Sequence, residues 1–94
     1  MVRHLVMYKV KDKANIQKMV ENFNSMKGEI AVLKDVNAHQ DFLKSERSFD
    51  VILDITVESL ADLEAYKAHP YHAEKIKPFV HSIIENSVSV DYEF

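Results

Sequence analysis

The chain has 94 residues, 47% of them hydrophobic, with one glycine, two prolines, no tryptophan and no cysteine. That is enough apolar material for a single domain over residues 1–94, though at this size a second copy would add usefully to a modest core. A formal charge of −3, from 12 Lys and Arg against 15 Asp and Glu, supplies no basic stripe for a nucleic-acid backbone. The lack of cysteine excludes disulfides, thiolate nucleophiles, iron–sulfur clusters and zinc–thiolate sites, and fits a reducing, cytoplasmic setting.

Val2 to Val10 carries Val2, Val6, Tyr8 and Val10 on one face and Leu5 and Met7 on the other, which predicts a central strand. Arg3, His4 and Lys9 interrupt it, so it is neither a signal-peptide core nor a membrane span, and no membrane partner is expected. After the turn at Lys11-Asp12-Lys13, Ile16, Met19, Val20, Phe23 and Met26 recur at helical spacing, predicting three to four turns that Gly28 ends. Val32 to Gln40 alternates weakly and reads as a strand near a sheet edge. Lys44-Ser45-Glu46-Arg47-Ser48 is a charged loop, which an Arg47–carboxylate pair could fix over the end of the sheet. Val51 to Val57 is again apolar on both faces, a second central strand.

Ser59 suits an N-cap, with Asp62 in the first turn and Leu60, Leu63 and Tyr66 as an apolar stripe, so a helix begins near Leu60. Pro70 disfavours helical backbone at His69, and Pro78 repeats the effect. Ile76, Phe79, Val80, Ile83 and Ile84 then continue a buried stripe to about Glu85. Val88, Val90 and Tyr92 alternate with Ser87, Ser89 and Asp91 as the last strand. The order β-α-β-β-α-β is the α+β, ferredoxin-like arrangement with a four-stranded antiparallel sheet. Helices cover only one face of such a sheet, leaving Leu5, Met7 and Ile52 against water in a monomer. A sheet-to-sheet homodimer is the simplest remedy.

Chemistry concentrates in Tyr66-Lys-Ala-His69-Pro70-Tyr-His72. On an uninterrupted helix Tyr66 and His72 would lie roughly 240° apart, so only the break at Pro70 can bring them together. Were they together, a neutral His72 could remove a proton alpha to a carbonyl while the Tyr66 hydroxyl donates to the developing enolate oxygen. The competing reading packs Tyr66 against Phe23 or Val6 and uses the histidines to cap the broken helix end. His4, among Val2, Val6 and Tyr8, is either a pocket wall or a core histidine with a local partner. His39 and His81 read as solvated surface residues, and Met7, Met19 and Met26 as core or dimer packing.

His69, His72 and Glu74 lack the further convergent ligand that zinc or iron requires, so no metal is expected. Without a glycine-rich phosphate loop, serine elbow or dinucleotide fingerprint, no cofactor is expected either. The residues themselves offer His72 and Tyr66 as catalytic candidates. The ligand-binding candidates are Val6, Tyr8, Phe23, Leu53, Ile55 and His69, around a cavity between sheet and helices.

Several segments together resemble one family. These are Val2-Arg3-His4-Leu5-Val6, the loop from Asp41 to Asp50, Ser59 to Tyr66, His69-Pro70-x-His72 and Val90-Asp91-Tyr92-Glu93. They are similar to the stress-responsive A/B-barrel domain (Dabb) family over nearly the whole chain. The resemblance implies a ferredoxin-like subunit and a homodimer whose two sheets form a barrel. One branch, the plant polyketide cyclases that form olivetolic acid, performs a cofactor-free aldol condensation with a Tyr-x-x-His-Pro-x-His pattern. That pattern falls on Tyr66 and His72, and the branch's first-strand histidine falls on His4, which joins the catalytic candidates only through this family resemblance. A further histidine of that branch corresponds to Val51 here.

The functional expectation is a stress-associated dimeric barrel that binds a small apolar or aromatic molecule. The alternative is a cofactor-independent enzyme using His and Tyr acid–base chemistry on a carbonyl. A cofactor-free monooxygenase, as in the similar barrel of antibiotic-biosynthesis monooxygenases, is opposed by the absence of tryptophan and of that group's Asn-Trp-His set.

Overall fold

In the computed structural model, which describes residues 1–94, the expected element order holds. Strand β1 is Val2–Val10, helix α1 Ile16–Asn24, β2 Asp35–Gln40, β3 Val51–Val57, α2 Leu60–Ala68, α3 Lys77–Ile83 and β4 Ile84–Glu93. The antiparallel sheet has the order β2-β3-β1-β4. The two strands with apolar residues on both faces, β1 and β3, are the central ones, because only a central strand is covered by neighbours on both edges.

The helices cover one face of the sheet. Val2, Val6 and Val10 of β1, Val36 and Ala38 of β2, and Val51, Leu53, Ile55 and Val57 of β3 are buried there against Met19, Phe23, Leu63, Tyr66, Ile76, Val80 and Ile83. Asn24 pins the end of α1 to the edge strand: its Oδ1 accepts from the Ala38 N–H at 3.0 Å and its Nδ2 donates to the Ala38 carbonyl at 3.2 Å. Ser59 caps α2 as its residue type predicts, accepting from the Asp62 N–H at 3.2 Å.

Four boundaries and contacts differ from the sequence expectation. Helix α1 ends at Asn24, and the stripe residue Met26 is buried from the turns that lead to Gly28, which has φ +79°. The edge strand starts at Asp35, because Val32 lies in the preceding turns and packs only partly. Leu60 is 65% exposed; being the first residue of α2 it sits outside the stripe that buries Leu63 and Tyr66. Ile84 belongs to β4, since its backbone is already extended at ψ 146°. The charged loop is held by Asp50, which accepts from the Val10 N–H and from Lys13 Nζ, both at 2.8 Å. Burial works to raise the Asp50 pKa, but those hydrogen bonds prevail and hold it below the usual value. The ion pairs of the chain do not include Arg47.

On the other face, register sets Leu5 between Asp54 and Val90, and Met7 between Ile52 and Val88. Val88, Val90 and Tyr92 are 42%, 56% and 40% exposed, so this apolar face has no cover within the chain. Its polar end is Arg3, whose guanidinium lies 3.4 Å from Asp54 and donates to the Tyr92 hydroxyl at 3.4 Å. No helix is long and apolar enough to cross a membrane.

Candidate ligand and acid–base site

Pro70 interrupts the second helical stretch as its chemistry requires. His69 is extended at φ −61° and ψ 134°, and Pro70 re-enters helical backbone at φ −55° and ψ −37°. The next turn is wider than an ordinary one: Tyr71–Ile76 is π-helical, and the Lys77 N–H donates to the carbonyl of His72, five residues back. Pro78 explains the widening, because it has no N–H to give to the carbonyl four residues before it, so the chain spreads until α3 begins. The extended backbone at His69 turns the chain so that His72 comes back over α2. Its ring centroid comes to 4.5 Å from that of Tyr66, a contact that regular helix geometry forbids.

His72 Nδ1 lies 3.0 Å from the Lys67 carbonyl. A carbonyl only accepts, so Nδ1 carries the proton and Nε2 keeps a free lone pair. Burial lowers the His72 pKa, against the Lys67 hydrogen bond, and the nearby Lys77 charge lowers it further. The ring is therefore neutral at pH 7, the form a proton acceptor needs.

Tyr66 is 2% exposed. Burial raises its pKa, followed by the electrostatic effect of Tyr8, and no hydrogen bond contributes. His4 is its second ring neighbour, with ring centroids 6.4 Å apart. His4 Nδ1 donates to Asp91 Oδ1 across the β1–β4 pairing. The three catalytic candidates thus cluster around Tyr66, with Asp91 anchoring His4. His69 stands apart: its Nδ1 accepts from the Tyr71 N–H at 3.1 Å, which shapes the break.

Beside His72 opens a pocket of about 180 Å³ whose walls include Val6, Tyr8, Phe23, Ile76, Val80 and Ile84. Of the ligand-binding candidates, Val6, Tyr8 and Phe23 line it. Leu53 and Ile55, at 1% and 0% exposure, are sealed in the core beneath. His4 and Tyr66 lie behind His72 and do not form its wall. Burial pushes the Tyr8 phenol up to about 12, so it stays protonated and can donate. The pocket mouth carries Lys77, His81 and Ser87. These three and Asp91 escaped the sequence reading. The alternation of Ser87, Ser89 and Asp91 opposite Val88, Val90 and Tyr92 was the available signal, since it puts polar groups on the helix-facing side of β4.

Three larger hollows, of about 310, 320 and 250 Å³, lie elsewhere. The first has a single apolar wall residue, Ile16, and sets Lys9, Lys13 and Lys44 against Asp41 and Asp50, with Lys13 already paired to Asp50. The second lies on the bare sheet face around Met7 and Ile52. The third is bounded by Val2, Leu63 and Asp91, and none of the three combines an apolar wall with a histidine.

Residues 2–94 match the Stress responsive A/B Barrel Domain family. The chain is 31% identical over 94 residues to a stress-response A/B barrel domain-containing protein of Arabidopsis thaliana, covering 97% of this chain and 36% of that protein. It therefore spans about a third of the length of the curated relative it matches. Its fold is similar to that of a dimeric ferredoxin-like protein of unknown function from Bacteroides fragilis, with a TM-score of 0.87, 23% identity and coverage of 99% and 95% of the two chains. The hydroxynitrile lyase of Passiflora edulis has a similar fold, with a TM-score of 0.80, 20% identity and coverage of 97% and 90%.

Proposed function

The chain belongs to the stress-responsive A/B-barrel domain family, and on that premise we propose that it acts as a homodimer whose protomers each bind a small apolar or aromatic molecule beside His72. The bare face around Leu5, Met7, Ile52, Val88 and Val90 supports pairing of the sheets, because an apolar patch of this kind is stable in water only when covered. The binding reading is carried by one observation: an apolar pocket walled by Val6, Tyr8, Phe23, Ile76, Val80 and Ile84 that ends on a neutral imidazole. Apolar walls with a few oriented polar groups are the usual make-up of small-molecule sites. Amide chemical-shift mapping with phenylacetaldehyde tests it. Shifts clustered on Val6, Tyr8, Ile76, Val80 and Ile84 are expected. Shifts confined to the Lys9–Lys44 hollow, or none at all, overturn it.

A second reading, an acid–base enzyme acting on a carbonyl compound, is favoured by the His72 tautomer. With Nδ1 donating to Lys67, Nε2 is free to take a proton from the carbon next to a bound carbonyl, while a phenol donates to the oxygen that gains charge. Tyr8, on the pocket wall, is the phenol placed to do so. Tyr66, packed against the His72 ring at a tilt of 50°, acts as a positioning residue. Phenylacetaldehyde in deuterium oxide measures the first step directly. Removal of an alpha proton and return of a deuteron from His72 would exchange that position, and His72→Phe should abolish the enzyme-dependent exchange. Exchange that persists in His72→Phe removes His72 as the base.

A further inference from the structure

The same pocket carries an electrostatic preference. Among its walls Lys77, His72 and His81 have nitrogen groups, Ser87 and Tyr8 have hydroxyls, and no carboxylate is present, in a chain whose formal charge is −3. The carboxylates paired with Lys or Arg are Asp54 with Arg3, Asp50 with Lys13 and Glu58 with Lys34, so the Lys77 ammonium is not engaged by any protein carboxylate. It lies close enough to His72 for its charge to act on that ring. The other lysine-lined hollow differs in this respect, because Asp41 and Asp50 offset its charge.

Size sets the second constraint. A volume of about 180 Å³ falls below the ~300 Å³ at which sites for drug-sized ligands begin, which suits one six-membered ring with a short substituent.

We propose that the ligand is a small monocyclic aromatic or comparably compact apolar anion, with its ring between Phe23, Ile76 and Val80 and its acidic group at the mouth on Lys77, helped by Ser87 and the His81 ring. The inference rests on the binding reading and adds the charge and size of the ligand. A carboxylate meeting an ammonium forms a charge-assisted hydrogen bond, stronger than a neutral amide makes there. The same ammonium, facing the pocket, would hold an enolate form of a bound carbonyl compound.

The test compares phenylacetate with phenylacetamide, a neutral partner of nearly equal shape, by chemical-shift titration of the wild-type protein and of Lys77→Met. The spectrum of the unliganded variant reports that it has folded. Phenylacetate should bind the wild type about tenfold more tightly than the amide, with shifts at Val80, His81 and Ser87, and most of that preference should vanish in Lys77→Met. Equal binding of the two probes overturns the anion preference and leaves the binding reading standing. Binding of neither probe at the pocket overturns both. A preference that survives in Lys77→Met overturns the assignment to Lys77.

Discussion

Tyr66 contributes a ring packed against His72 and a hydroxyl that makes no structural hydrogen bond. The side chain is 2% exposed and lies 4.5 Å from the His72 ring and 6.4 Å from that of His4. Truncation to alanine removes a buried aromatic ring and leaves a cavity, a change that costs ~3–5 kcal/mol. In a domain of this size each kcal/mol shifts Tm by ~4–8 °C, so Tyr66→Ala should lower it by about 12 °C or more. Tyr66→Phe keeps the ring and deletes a hydroxyl to which no hydrogen bond contributes, so its cost should stay within about 1 kcal/mol. Urea unfolding followed by far-ultraviolet circular dichroism, at one fixed protein concentration because the chain is expected to dimerise, gives both values. A loss of ~2 kcal/mol or more in Tyr66→Phe would show that the hydroxyl carries a structural bond, and the positioning role would fall.

The His72 pKa is depressed by burial, so on acidification the unfolded chain takes up its proton first. Stability from this residue is complete above about pH 6.5 and is lost as pH falls through the lower, folded value. Titration of the His72 ring proton signal should give a midpoint below 6.5, and Tm should fall more steeply with acid in the wild type than in His72→Phe; equal slopes refute it. Val90→Glu, beside Leu5 on the edge strand of the bare sheet face, should convert the dimer to monomer in sedimentation experiments. A dimer that persists would place the contact elsewhere. Ser59→Ala removes the acceptor for the Asp62 N–H and should cost ~1 kcal/mol, read as a drop in Tm, whereas an unchanged Tm would mean that water replaces the cap.

The fold was legible in the sequence where periodicity and capping speak alone. Two-faced apolarity identified β1 and β3 as central, Ser59 and Pro70 marked where α2 begins and breaks, and the row of Leu5, Met7 and Ile52 exposed the bare face. The misplaced boundaries share one cause. Met26, Val32 and Ile84 are apolar and packed, and a buried side chain in a turn or at a strand start leaves the same pattern as one in a regular element. For the site, the break at Pro70 was enough to show that Tyr66 and His72 could meet. The π-helical turn was not, because it depends on the missing N–H of Pro78 acting together with tertiary packing. Leu53 and Ile55 were assigned to a cavity that Tyr66 and Phe23 fill with core. Asp91 needed the β1–β4 register, which alternation alone does not give.

On the proposed function, a small aromatic molecule occupies the space between β1 and the broken helix. A crystal structure of the protein grown with phenylacetate tests it most directly. Ligand density bounded by Tyr8, Phe23, Ile76 and Val80, with the carboxylate toward Lys77 and His72 still bonded to Lys67, is the predicted result. Side chains closed over an empty pocket at saturating phenylacetate, or the ligand seated only among Lys9, Lys13 and Lys44, would contradict it.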